Sequence, residues 1–317
     1  MITYHENPWE TITKSDLVSI GTHKLFLSTS GPPRINKSPV VIYLTGGGVP
    51  IAAHVRLQAL LSVFVRVYFY DRSGYDLSEQ SPTTCPTATE AAADLTSLLR
   101  AAQITPPYIL VSHSYSGIIA REFLALHPSD DVVAGMVLVD TATELMYEVF
   151  YDRIPNSAFA AVASGVNFAK LTHLQEESGL SDKEWETALA AVERSEAAAR
   201  AEASHESGRP LAAKRQLQTQ AFGDRPLSVM RCNTASDYRI IYDAGVEVGN
   251  GTEDERAGAR RFIETWELFD DDLRAAQLRL SSQARYVRIE DCGHDISLRK
   301  PELVVEQVRW VLGCLRS

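Results

Sequence analysis

At 317 residues, 45% of them hydrophobic and 23% charged, the chain can bury a large core in one or two domains. A formal net charge of −10 argues against nucleic acid and anionic membranes as partners. The polar opening Met1–Ser15 has no apolar run of the signal-peptide kind, and no later run is long enough for a membrane span, so a cytoplasmic protein is expected.

In chain order, Leu17–Ser30 reads as two extended runs split at Gly21-Thr22, an opening hairpin closed by Gly31-Pro32-Pro33. Val40–Leu44 is β-branched and unalternating, as a strand buried on both faces should be, and Gly46-Gly47-Gly48 follows it. Ile51–Ser62 has helical spacing, and Val63–Tyr70 reads as a second buried strand ending at Asp71-Arg72-Ser73-Gly74. Thr87–Ala102 is predicted as a helix, with Thr87 and Glu90 forming a capping box and Ala91, Leu95, Leu98, Leu99 and Ala102 its apolar stripe. Tyr108–Val111 is a strand, Tyr115–Leu126 a helix, and Val132–Val139 a strand that ends at Asp140.

The strand–helix rhythm then stops. From Thr141 to Arg225 no buried-strand run occurs, and the longest helical candidate is Ser181–Ser204. The pattern resumes with a strand at Pro226–Cys232, a helical stretch at Glu253–Leu280, a strand at Ala284–Glu290 and a terminal helix at Pro301–Leu315. This order predicts an α/β fold, a mostly parallel doubly wound sheet, with residues 1–140 and 226–317 forming the core and 141–225 inserted as a helical cap over its carboxyl edge.

The chemistry centres on Ser112-His113-Ser114-Tyr115-Ser116-Gly117. A serine between small residues, at the junction of a strand and a helix, is the pattern of a tight turn that lifts the hydroxyl clear of a sheet. Small neighbours are needed because strand and helix backbones come close there. Serine occupies two flanking positions where glycine is usual, Ser112 and Ser116. A serine hydroxyl needs a base, and the base needs an orienting carboxylate. Of the eight histidines, His294 is the candidate base, because it follows the last strand in a Gly-His loop at the same sheet edge. His113, beside Ser114, is expected to point away and pack.

The acid is less determined. Asp140, ending the strand after the elbow helix, is the first candidate, and Asp237, after Pro226–Cys232, the second. Glu144, Asp243 and Glu247 are further alternatives, and Asp140 also has a plain reading as a helix N-cap. For the developing oxyanion, the backbone N–H groups of Tyr115 and of Gly47 (or Gly48) are the candidate donors. The glycine run lacks the Lys-Ser/Thr of a phosphate loop and has no GxGxxG. The four cysteines, Cys85, Cys232, Cys292 and Cys314, have neither metal-ligand nor redox spacing and read as reduced thiols. No metal or cofactor is expected.

These landmarks together resemble the α/β-hydrolase fold superfamily over nearly the whole chain. Tyr70–Ser78 is similar to the family's Asp-Arg-x-Gly-x-Gly-x-Ser loop, with Asp76 in place of the second glycine. Thr45-Gly46-Gly47 stands where the family has His-Gly-x, Ser112–Gly117 where it has Gly-His-Ser-x-Gly-Gly, and Gly293-His294 matches its late Gly-His. The resemblance implies a helical cap. It also implies an acid after the strand Pro226–Cys232, where the chain has Ala235; some members, certain lactone hydrolases among them, place it after the earlier strand, as Asp140 would be.

A serine nucleophile disfavours the aspartate-dependent dehalogenase and epoxide hydrolase branches. The leading expectation is hydrolysis of an ester or lactone of a small, largely apolar substrate through an acyl-enzyme on Ser114. Tyr147, Phe150, Tyr151, Phe159, Phe168 and Phe222 are available for substrate contact. One alternative is an aminopeptidase of the proline-iminopeptidase type, which would need cap carboxylates such as Glu176, Glu177 or Glu184. Others are acyl transfer, lactone formation or carbon–carbon cleavage at the same Ser-His pair, or a ligand-binding receptor. A homodimer through an apolar cap face is also compatible with the sequence.

Overall fold

The computed structural model describes residues 7–150, 154–202 and 206–316; Tyr151, His5 and His205 lie outside them. Its centre is an eight-stranded sheet: β1 (Lys14–Ser19), β2 (Lys24–Ser30), β3 (Val40–Leu44), β4 (Val67–Tyr70), β5 (Tyr108–His113), β6 (Val133–Val139), β7 (Leu227–Cys232) and β8 (Ala284–Ile289). The spatial order is β1-β2-β4-β3-β5-β6-β7-β8. The hairpin β1–β2 joins β4 antiparallel, and β4, β3, β5, β6, β7 and β8 run parallel.

The unalternating strands have a simple cause. In β3, Val40, Ile42 and Leu44 enter one hydrophobic cluster, while Val41 and Tyr43 enter the cluster on the opposite face. The same division holds in β5, with Tyr108 and Leu110 on one face and Ile109 and Val111 on the other. Successive side chains alternate sides, so a strand covered on both faces must be apolar throughout. The helices Ala88–Ala101 and Ser116–Leu126 cover the first face, and Val55–Ser62 and Pro301–Cys314 the second.

Two sequence expectations need correction. The strand expected over Val63–Tyr70 begins only at Val67. The amides of Phe64 and Val65 both donate back to Leu61 O, closing the preceding helix, and Val63 is 76% exposed. The stretch between Cys232 and Glu253, to which the sequence pattern assigns no element, carries a helix, Thr234–Glu247.

Between β6 and β7 the described chain is helical, and its longest element is Asp182–Ala201, whose cap Ser181 forms a capping box with Glu184. The first part of this block has no core of its own. Met146, Phe150, Phe159 and Val162 pack with Ala235, Phe262, Ile263 and Trp266, which belong to the two helices after β7, Thr234–Glu247 and Glu253–Ala275. The approach is close enough that a Cβ on Gly245 would stand 2.1 Å from Val162 O. The roof over the sheet edge is thus built from both sides of β7.

Candidate active site

The carboxyl ends of the parallel strands gather the candidate residues at one edge, where an open α/β sheet offers a crevice. At the end of β5, Ser114 has φ +56°, the left-handed region that a side chain enters only under constraint. Its amide donates to Val139 O at 3.2 Å, and its carbonyl accepts from Gly117 N at 3.1 Å and from Ala142 N at 2.9 Å. The flanking serines do different things. The fully buried Ser116 hydroxyl lies 2.8 Å from both Leu44 O and His113 O and accepts from His113 N at 3.0 Å. It ties the turn to the end of β3. Ser112 is equally buried and its hydroxyl has no partner among the described residues; it serves as a small residue. Gly117 is needed for closeness, since a Cβ there would stand 2.3 Å from Thr141 Cβ.

His294 bridges two side chains. Its Nδ1 stands 2.6 Å from Asp140 Oδ2, and its Nε2 stands 2.9 Å from Ser114 Oγ. An ionised carboxylate only accepts, so Nδ1 carries the proton and Nε2 accepts from the serine hydroxyl. Asp140 holds its own backbone at φ +45° and is fully buried. It accepts from Cys232 N at 3.0 Å and from Thr234 Oγ1 at 2.7 Å, and Arg274 Nε lies 3.5 Å from its Oδ1. Burial pushes the Asp140 carboxyl up, but the Arg274 charge and the His294 hydrogen bond overcome it and hold the group well below the usual carboxylate range. For His294, burial lowers basicity, and the hydrogen bond and charge of Asp140 raise it further than that, for a net upward shift.

Asp237, the other candidate acid, sits elsewhere. Its Oδ2 accepts from the backbone N–H of His294 at 2.7 Å, so it holds the loop rather than the ring. Burial pushes its pKa up to about 6, against the hydrogen bond from His294 N. Gly293 makes room for it, as a Cβ there would stand 2.0 Å from Asp237 Oδ2. His113 adds to its expected packing role. Its Nε2 donates to His294 O at 2.9 Å, the two rings lie 4.7 Å apart, and burial pushes its pKa down to about 3, keeping it neutral. The backbone of His294 is therefore gripped at both its N–H and its C=O. Glu144 is committed to a buried ion pair with Arg121, and Asp243 and Glu247 are exposed.

Of the loop amides, Gly48 N donates to Tyr75 OH at 2.9 Å and is occupied. Among the described residues no acceptor takes the amides of Gly47 and Tyr115. A Cβ on Gly47 would stand 3.9 Å from Tyr115 Cβ, so these two residues approach each other next to Ser114.

A cavity of about 300 Å³ opens on this group, lined by Ser114, Tyr115, Asp140 and His294 together with Met146, Tyr147, Tyr238, Trp266 and Arg274, among others. A wider groove of about 680 Å³, between Phe150, Asn156, Asp254 and Phe262, contains none of the candidate catalytic or oxyanion residues. Of the described aromatics expected at a substrate, only Tyr147 lines the site cavity; Phe150 and Phe159 pack in the roof, and Phe222 is buried under the sheet. Phe168 and the carboxylates Glu176, Glu177 and Glu184 do not line the cavity; Glu177 pairs with Arg299 and Glu184 caps its own helix. Nothing in the sequence pattern marks Thr234, Tyr238, Trp266 and Arg274, which also line the cavity. Asp270 and Arg274, four apart on a charged helix, look like a surface pair in the sequence. Both are buried, and they form a bridge of 3.1 Å.

Among the described residues no helix is long and apolar enough to cross a membrane. A model of the alpha/beta hydrolase family matches residues 41–307. An "AB hydrolase superfamily protein" of Gibberella zeae is 32% identical over 98% of this chain and 99% of its own length. A "Probable transporter efuK" of Hormonema carpetanum is also 32% identical over 98% of this chain, which spans only 44% of that protein. Among solved structures, a thermophilic esterase from Thermogutta terrifontis superposes with a TM-score of 0.57 at 16% identity, covering 96% of this chain and all (100%) of the esterase. The sheet order, the serine turn at its carboxyl edge and these matches agree, and the chain belongs to the alpha/beta hydrolase family.

Proposed function

We propose that this protein hydrolyses a carboxylic ester or lactone of a small, largely apolar substrate, through an acyl-enzyme on Ser114. The observation that carries this reading is the continuous hydrogen-bond line from Ser114 Oγ through His294 to the buried Asp140, at 2.9 Å and 2.6 Å. His294 takes the hydroxyl proton as Ser114 attacks the carbonyl carbon, and Asp140 stabilises the imidazolium that forms. The free amides of Gly47 and Tyr115, the latter at the start of the helix Ser116–Leu126, donate to the oxygen that becomes negative. His294 then protonates the departing alkoxide. A water molecule, deprotonated by the same histidine, attacks the acyl carbonyl and releases the acid.

The substrate reading rests on the cavity. Its volume of about 300 Å³ suits a small molecule, and Ala142, Met146, Ile154, Pro155 and Trp266 give it apolar walls. Residues 141–225 act as the cap, completed by the helix Glu253–Ala275. An aminopeptidase is disfavoured, because among the described residues the only carboxylate lining the cavity is Asp140, already paired with His294. No cofactor, nucleic acid or membrane enters the scheme.

The test is turnover of p-nitrophenyl butyrate and of an aliphatic lactone by the wild type and by Ser114→Ala. Turnover that falls about 10⁴-fold or more in the variant is expected. A Ser114→Ala protein that retains the wild-type rate would refute the assignment.

A further inference from the structure

The loop that carries the Gly47 amide is not held by its own strand. Arg72, nearly buried, donates from Nη1 to Thr45 O at 2.7 Å and from Nη2 to Gly46 O at 2.9 Å. In a trans peptide the C=O and the following N–H point opposite ways. Anchoring Gly46 O on Arg72 therefore turns the Gly47 N–H away from the arginine guanidinium. The next amide is fixed by the same cluster, through Gly48 N and the hydroxyl of Tyr75.

The counter-charge of Arg72 comes from the block between β6 and β7. Glu202, the C-cap of the long helix Asp182–Ala201, accepts from Arg72 Nε, from Arg72 Nη2 at 3.1 Å and from Tyr75 OH at 2.6 Å. The Arg72 and Glu202 side chains are only 5% and 8% exposed, so neither has water as a substitute partner. The same helix touches the same loops at further points. Arg194 Nε donates to Asp76 Oδ1 at 2.8 Å, and Asp76 N donates to Ser195 Oγ at 2.9 Å. A Cβ on Gly74 would stand 2.8 Å from Ala198 Cβ, and one on Gly48 3.7 Å from Ala199 Cβ. Asp76, with φ +43° where the family motif has glycine, keeps the glycine-like backbone and adds the carboxylate that Arg194 holds.

We propose that Glu202 is a positioning residue of this site: paired with Arg72, it fixes the Gly46–Gly47 peptide so that the Gly47 amide faces the reacting carbonyl oxygen, and seating of the long helix thereby makes the site competent. The inference rests on the ester-hydrolysis reading above. Withdrawing Glu202 leaves Arg72 buried without its counter-ion and free to release Gly46 O, after which the amide loses its direction. The loss falls on the step in which charge develops on oxygen, and so on kcat, because substrate affinity depends on cavity walls that Glu202 does not line.

The experiment compares wild type, Glu202→Gln and Glu202→Ala. A fluorophosphonate first establishes whether wild-type Ser114 is modified, by peptide mass. Steady-state kinetics with p-nitrophenyl butyrate then separate kcat from KM. Inhibition by a trifluoromethyl ketone, whose serine adduct carries an oxyanion, is measured alongside. The expected result is a kcat lower by about 10-fold in Glu202→Gln and by more in Glu202→Ala, KM within about 2-fold, and ketone affinity weakened in step with kcat. Glu202→Gln keeps an acceptor for Tyr75 and nearly the same shape, so it reports even where Glu202→Ala fails to fold. A labelled wild-type Ser114 with kcat and ketone affinity unchanged in Glu202→Gln, or with a loss confined to KM, overturns the role of Glu202 and leaves the hydrolase reading standing. An unlabelled wild-type Ser114 overturns both.

Discussion

On one side of His294 stands Ser114, placed by backbone geometry; on the other stands Asp140, placed by charge. The serine side consists of a left-handed residue at the end of β5, a buried Ser116 hydroxyl clamped to β3, and a glycine that lets the helix touch Thr141. All of it lies within a few residues of Ser114 or at the end of a neighbouring strand. The acid side draws on Cys232, Thr234, Asp270 and Arg274, which follow Asp140 by about a hundred residues or more. The difference teaches where each half is vulnerable. Steric changes break the first, and loss of one buried charge breaks the second.

The largest effect is expected on the acid side. Asp140→Asn cannot hold the Nδ1 tautomer, and kcat for ester hydrolysis should fall about 10⁴-fold. The residual activity should also shift with pH. The Asp140 anion stabilises the imidazolium and raises His294, so the acidic limb of kcat/KM lies above the ordinary imidazole value of about 6.5 in the wild type. Without the anion the protonated form loses its support, and the limb moves to lower pH. A limb that stays in place would mean that another group, not Asp140, sets the basicity of His294.

Arg274→Met removes the cation shared by Asp140 and Asp270, and should cost about 3–5 kcal/mol of stability, read as a lower urea midpoint. Arg274 lowers His294, so here the acidic limb should move upward, opposite to Asp140→Asn. On the serine side, Gly117→Ala drives a methyl into Thr141 and should cost about 1–3 kcal/mol in the same measurement. Asp237→Asn should have the smallest effect. The asparagine oxygen still accepts from His294 N, so kcat should stay within about 5-fold of wild type. A collapse of activity in Asp237→Asn as deep as that of Asp140→Asn would invert the comparison.

The same contrast explains what could be read from the chain. Ser114, the Gly46–Gly48 loop and His294 are legible because each follows a strand directly and local spacing announces it. The sheet is legible because β-branched runs report burial on both faces. The acid is not settled by spacing, since Asp140 and Asp237 both follow strands and both contact His294; what separates them is the atom each reaches, the ring Nδ1 for Asp140 and the backbone N–H for Asp237, and the buried Arg274 beside Asp140. Arg274 is hidden because a charged pair four apart on a helix looks the same whether water or protein surrounds it. The helix Thr234–Glu247 is missed because polar residues open it and its apolar face meets the roof rather than the sheet. Asp76 reads as a departure from the family loop until the distant Arg194 arrives beside it.

Intact-mass and peptide analysis after exposure to a fluorophosphonate tests the central claim most directly. The account predicts one adduct per wild-type chain, on Ser114, none in Ser114→Ala, and a sharply slower reaction in His294→Ala. An adduct of undiminished rate in Ser114→Ala, carried by another residue, would contradict it.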